Sequence, residues 1–226
     1  MNIKGIDISH WNGKVDFNKV KESGIDFVII KAGGSDYGFY KDSRFEENYR
    51  EAKAAGLSVG AYYFVGKKFY GVVSGAADAE RFIKILDGKQ FDYPVFVDVE
   101  TTESRYKELA TDATIAFCET MEKAGYFVGI YASDISGYKE KLNHDKLIEY
   151  THWVARYGSE PVVCKEYGIW QHSSKGSVSG ISGSVDLDVS KVDYSKLIKE
   201  KGFNGYKKKD PEKVTKKTTK KKTEVK

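Results

Sequence analysis

Short apolar runs alternate with amphipathic, helix-forming runs along most of the chain. Residues 3–9, 27–33 and 57–65 read as strands, and the second (Phe27-Val28-Ile29-Ile30-Lys31-Ala32-Gly33) is almost continuously apolar. Such a run is expected of a strand covered on both faces. Residues 15–23 and 43–55 carry helix formers and are closed by Gly24 and Gly56, since glycine supplies the left-handed residue that ends many helices. The alternation continues with a helix over 74–86 stopped by Asp87-Gly88 and a strand over 93–100. A helix over 112–124 stopped by Gly125 and a strand over 126–132 follow. Repetition of this kind predicts parallel strands joined by right-handed crossovers.

After residue 132 the helices weaken. Residues 151–157, 167–172 and 184–189 are strand-like, with only short or polar segments between them, including the loop Ser173-Ser174-Lys175-Gly176-Ser177. Five βα units followed by three strands with poor helices make eight strands, a number that suits closure. The expected class is α/β, a modified TIM-type barrel. An open doubly wound sheet is the other arrangement. Against it, the first strand-to-helix turn, Ser9-His10-Trp11-Asn12-Gly13, has no G-x-G-x-x-G spacing, and no G-x-x-x-x-G-K-[ST] occurs.

Composition narrows the reading further. With 226 residues, 40% hydrophobic and 14% aromatic, the chain has the apolar content to fold and the length of one barrel domain. No apolar stretch of about 18 residues is present, so no membrane span is expected. The first residues lack a long apolar run, which predicts a protein made in the cytoplasm without a signal peptide. Cys118 and Cys164 are read as free thiols.

The net charge of +4 is unevenly spread: residues 203–226 hold ten lysines against Asp210, Glu212 and Glu224, a local +7 that leaves −3 for residues 1–202. A mildly acidic body gives no reason to expect nucleic acid. The Lys-rich end reads as a disordered tail or linker, because it cannot bury enough apolar surface to order itself. Adhesion to an anionic polymer is the sharper reading of the same segment. The domains are therefore 1–202, a barrel, and 203–226, a basic tail.

In a βα barrel the chemistry lies at the carboxyl ends of the strands. Those ends carry Asp7, Lys31, Tyr62, Asp98 with Glu100, Tyr131, Trp153, Trp170 with Gln171, and Asp186 with Asp188. Asp98 and Glu100 are two apart on one strand and point to the same side. Two close carboxyls push one pKa up, so that one acts as an acid while its neighbour stays charged. Tyr62, Tyr131, Trp153 and Trp170 suit plain barrel packing. Beside acids they suggest a carbohydrate site, since sugar rings offer apolar faces to aromatics and hydroxyls to carboxylates. His10, His144, His152 and His172 lack metal-ligand spacing and read as surface or rim residues. No metal or cofactor is expected, no G-x-S-x-G elbow exists, and neither cysteine has a catalytic setting.

The chain resembles the family 25 glycoside hydrolases, the lysozymes of many phage endolysins and bacterial autolysins. The resemblance is carried by Gly5-Ile6-Asp7-Ile8-Ser9 with Gly13 and Asp16, Phe27-Val28-Ile29-Ile30-Lys31-Ala32, Gly60-Ala61-Tyr62-Tyr63-Phe64 and Pro94-Val95-Phe96-Val97-Asp98-Val99-Glu100. Trp153-Val154-Ala155, Trp170-Gln171-His172-Ser173 and Val185-Asp186-Leu187-Asp188 complete it. It implies hydrolysis of the β-1,4 bond from N-acetylmuramic acid to N-acetylglucosamine in the glycan strands of peptidoglycan. It also implies Glu100 as general acid, Asp98 as its partner, Asp7 and Asp186 in the acidic floor, and Tyr62 near the reacting sugar. Lys31, Tyr131, Trp153, Trp170, Gln171 and Asp188 are the expected substrate-binding residues. The family often has Asn where this chain has Asp188, and an aromatic where it has His172. An endolysin made without a leader would reach the cell wall after the membrane is permeabilised, and its basic tail would meet anionic wall polymer. Two rivals are a non-catalytic glycan-binding barrel, which would lack an intact D-x-E pair, and a chitinase-like barrel. The latter's D-x-x-D-x-D-x-E needs acids where Tyr93 and Phe96 stand.

Overall fold

The computed structural model describes residues 2–208. Eight strands close into a barrel: β1 (Ile3–Ile8), β2 (Phe27–Gly34), β4 (Ser58–Phe64), β5 (Val95–Asp98), β6 (Val128–Ser133), β7 (Thr151–Ala155), β8 (Ile169–Gly176) and β9 (Val185–Ser190), with β1 pairing both β2 and β9. A two-residue strand, β3 (Tyr40–Lys41), folds back antiparallel on the end of β2. The helices α1 (Phe17–Glu22), α2 (Phe45–Ala54), α3 (Gly71–Leu86) and α4 (Lys107–Lys123) pack outside the first half of the barrel, and α5 (Tyr194–Lys201) follows β9. Among the described residues no helix is long and apolar enough to cross a membrane.

The expected barrel and its loss of helices are observed. Six neighbouring pairs around the barrel, from β1–β2 to β7–β8, are parallel. The last strand is not: β9 runs antiparallel to both β8 and β1. The connection over 177–184 holds no helix, and a parallel return needs a crossover of about a dozen residues or more. The short connection therefore turns the chain straight back. The segment read as a loop over 173–177 belongs largely to β8, whose ladder with β9 shifts register twice, at Gln171/Ser173 and at Ser173/Gly176.

Alternation along the strands divides the core into two shells. Outward-facing Val28, Ile30, Val95 and Val97 pack under the helices, while Phe27, Ile29, Phe96, Tyr131, Trp153 and Ile169 fill the barrel. Gly5 makes room for this interior, because a Cβ there would lie 2.1 Å from Cζ of Phe27, whose ring stacks on Tyr93 at 4.2 Å. The amino end of the barrel is plugged by α5 through Tyr194 and Ile198. That helix was not anticipated, although its signals are plain. Asp193 accepts from the Lys196 amide at 3.0 Å, and Gly202 ends it at φ +78°.

The barrel extends past Gly202, which corrects the expected boundary. Asn204 is buried; its amide nitrogen Nδ2 donates to Tyr93 O at 2.9 Å and its Oδ1 accepts from Phe127 N at 2.7 Å. Tyr206 donates its hydroxyl to Asp92 at 2.7 Å. The rest of the Lys-rich segment, from residue 209 on, lies outside the described residues.

Candidate active site

At the carboxyl ends of the parallel strands lies a cleft of about 430 Å³. Its walls include Asp7, Lys31, Tyr62, Asp98, Glu100, Tyr131, Trp153, Gln171 and Asp186, nine of the eleven expected site residues. A larger hollow of about 800 Å³ between α1, α2 and residues 180–182 has no comparable gathering of acids and aromatics.

Strand β5 sets the acid pair. Val95 and Val97 face the helices, so Phe96 and Asp98 face the barrel, and Asp98 ends the strand almost fully buried. Glu100 follows at the mouth, open to water. The two carboxyls shift each other's pKa. Burial pushes Asp98 well above the usual carboxylate range, the neighbouring Glu100 adds to this, and the Lys31 ammonium opposes it. The cleft walls desolvate Glu100 enough to raise it too, against the pull of Asp98, Lys141 and Lys31. Lys31 is itself buried, its Nζ held 4.3 Å over the Phe64 ring, a cation–π contact that steadies a charge away from water.

The floor is a hydrogen-bonded sheet of side chains from five strands. Gln171 Nε2 donates to Asp7 Oδ2 at 2.7 Å, and its Oε1 accepts from the Tyr131 hydroxyl at 2.9 Å and from the Tyr157 hydroxyl at 3.1 Å. Trp153 Nε1 donates to Asp188 Oδ1 at 2.7 Å. Its ring packs 4.3 Å from Tyr131 and 5.9 Å from Tyr62. Burial drives Asp7 well up, with Asp188 and Asp186 adding to it; burial and Glu100 raise Asp186. Asp188 is pushed up to about 8, again mainly by burial.

Two expected substrate contacts are not in the cleft. Because β9 is antiparallel, its amino end, not its carboxyl end, faces the cleft. Asp186 pairs with Asp7 at the rim, whereas Asp188 lies one layer deeper opposite Gly5 and is 1% exposed. Asp188 is thus a support under Trp153 and the floor. Trp170 lies between inward-facing Ile169 and Gln171 and so points out of the barrel. Its Nε1 donates to Arg156 O at 2.7 Å and it packs on the outer core. The reading of all four histidines as surface or rim residues also fails, since His152 is 2% exposed on the outer side of β7. His10 is a rim residue, its Nδ1 2.7 Å from the buried carboxylate of Asp42.

The cleft adds Ser9, Trp11, Asp36, Tyr37, Phe64 and Tyr157 to the expected set. Trp11 and Tyr37 are 84% and 95% exposed. Exposed aromatics at a cleft lip offer apolar faces to a ligand. Their signal in the sequence was position alone: they follow β1 and β2 at the rim that carries the acids.

The chain belongs to the glycosyl hydrolases family 25, whose model matches residues 6–181. It is similar to an autolytic lysozyme of Clostridium acetobutylicum, 36% identical over 82% of this chain and 55% of that protein. Lysozyme M1 of Streptomyces globisporus is 29% identical over 81% of this chain and 66% of its own. The chain thus spans about half to two-thirds of these relatives. Among solved structures, the CTP1L endolysin superposes with a TM-score of 0.77 at 32% identity, covering 88% of this chain and 70% of that one.

The raised Asp188 makes stability fall as pH rises. Between its ordinary 3.8 and its folded value of about 8, the folded state holds a proton that the unfolded state has lost, and stability declines across that window and levels above it. Asp188→Asn keeps an acceptor for Trp153 and removes the titration. Thermal unfolding followed by circular dichroism is expected to show a flatter pH profile and a higher midpoint at the alkaline end. A profile parallel to the parent's would exclude Asp188 as its source.

Proposed function

We propose that the protein is a lysozyme that cleaves the β-1,4 bond between N-acetylmuramic acid and N-acetylglucosamine in bacterial peptidoglycan. The supporting observation is the Asp98–Glu100 pair at the end of β5, set in an open cleft walled by Tyr62, Tyr131 and Trp153. Family membership and similarity to proteins named lysozymes and to an endolysin support the same reading. The site of action is the cell wall. A purely glycan-binding role is the weaker alternative, because it gives no reason for an intact acid pair with raised pKa values.

In this reading Glu100, at the open mouth and with a raised pKa, protonates the leaving oxygen. Asp98 orients the 2-acetamido group of the muramic acid, which attacks its own anomeric carbon, and stabilises the positive charge that develops on it. Tyr62, on the neighbouring strand β4, helps hold that group. Asp7, Asp186 and Gln171 shape the floor, and Lys31 limits the repulsion among the acids. Water then opens the cyclic intermediate with Glu100 acting as base.

General acid catalysis contributes about 10²–10⁴-fold, so Glu100→Gln is expected to fold normally and to lose wall lysis by at least that factor. Analysis of fragments released by the parent should find muramic acid at the reducing ends. Glucosamine reducing ends, or cuts confined to the peptide, overturn the assignment.

The acetamido route retains the β configuration. NMR of a short muramic acid-containing oligosaccharide, recorded before mutarotation, is expected to show the β product first. Asp98→Asn should be nearly as damaging as Glu100→Gln. An α product at the earliest times would instead make Asp98 or Asp186 the base that activates water.

We also assign anionic wall polymer as partner of the Lys-rich end. The chain cut after Lys208, which preserves the contacts of Asn204 and Tyr206, should match the full chain on a short soluble glycan. It should bind whole walls less well, with the difference shrinking as salt rises. Equal wall binding at low salt would reduce the segment to a spacer.

A further inference from the structure

Outside the cleft, the sector between β6 and β8 has no long helix. Irregular turns replace it: a π-helical turn over Asp134–Lys139, a 3₁₀ turn over His144–Lys146, and the loop 156–168. Three side chains meet there from separate segments: His144 from the 3₁₀ turn, His152 from β7, and Cys164 from the loop. One potential ligand atom of each lies within 4.8 Å of the other two.

The surroundings fix this trio as ligands fix around a metal. Tyr138 donates its hydroxyl hydrogen to Ile130 O at 2.7 Å and is 3.1 Å from His152 Nδ1. With its own hydrogen committed, the Tyr138 oxygen is an acceptor for Nδ1–H of His152, the tautomer that leaves Nε2 with a bare lone pair. Nε2 of His152 and Nε2 of His144 are both buried with no hydrogen-bond partner among the described residues. A buried acceptor without a donor is costly. Metal-bound histidines typically donate their second ring N–H in this way. The Cys164 segment is equally well held, because the Asp134 carboxylate accepts from the amides of Val162, Val163 and Cys164 at 2.9–3.1 Å. His144, half-exposed on its short turn, is the least enclosed of the three.

We propose that His144, His152 and Cys164 bind one zinc ion, or a similar borderline divalent cation, with water in the fourth position. Two imidazoles and a thiolate are a zinc donor set, and tetrahedral coordination brings such atoms to about 3.4–3.6 Å of one another. Drawing the three atoms from within 4.8 Å of one another to that spacing takes a shift of about 1 Å. Burial holds the free Cys164 thiol up at about 12; binding releases its proton to solvent and leaves the thiolate on the metal. The ion clamps β7 to two irregular segments that stand where the first half of the barrel has helices. His152 lies on the opposite face of β7 from Trp153, so the site is structural and separate from the cleft.

The test uses the full, untagged chain, stripped with a chelator and titrated with Co²⁺ and then Zn²⁺. One equivalent of Co²⁺ should give tetrahedral d–d bands and a thiolate-to-cobalt charge-transfer band, and one equivalent of Zn²⁺ should abolish both. The thermal midpoint should rise with metal and fall back with chelator. Cys164→Ser should lose the charge-transfer band, while Cys118→Ser, which alters the other buried thiol on α4, should keep it. Absence of a thiolate band in the parent overturns the proposal whether or not any variant folds, and so does a band that survives in Cys164→Ser.

Discussion

The side chain of Gln171 is the tie on which the site depends. One primary amide joins β8 to β1 through Asp7, to β6 through Tyr131, and to the loop after β7 through Tyr157. Acids gathered at the end of a barrel repel one another and resist dehydration, and few donors are available to them here. Gln171 serves Asp7, and Trp153 serves Asp188. One oxygen of Asp98 and one of Asp188 have no partner among the described residues. Where donors run short, protons stay. Burial, above all, holds Asp7, Asp98 and Asp188 well above the carboxylate norm. The same loss of water raises Glu100 at the cleft mouth as well.

The two ends of the barrel solve different problems. At the carboxyl end the interior is polar, and its side chains are ordered by hydrogen bonds to neighbouring strands. At the amino end the interior is aromatic, and α5 seals it with Tyr194 and Ile198 against Phe27, Tyr93 and Ile169. Trp153 joins the two regimes, since its ring packs against Tyr131 and Phe96 while its single N–H reaches Asp188. Loss of the outer helices after β6 leaves that side of the barrel to be held by polar clusters. The Asp134 carboxylate organises one of them, through three backbone amides and Arg156.

Much of this was legible in the order of residues. Alternation along residues 93–100 placed Phe96 inside and aligned Asp98 with Glu100, because side-chain direction along a strand is a local property with a period of two. Glycine stops and apolar runs located the strands and the first four helices, and the count of eight implied closure. Acids and aromatics at the strand ends marked the rim as the reactive face. What residue order left undecided was depth and direction. Asp186 and Asp188 share a face, yet one lines the cleft and the other lies beneath it, because β9 is reversed and its register with β1 sets the height of each. Trp170 carries the same letters as a cleft residue would, and only its place between Ile169 and Gln171 turns it outward. His144, His152 and Cys164 show no ligand spacing in sequence, and three segments converge on them only once the barrel has closed. The face of a side chain follows from the backbone's own period. Its depth and its neighbours follow from how strands pair, which connection length and barrel closure fix.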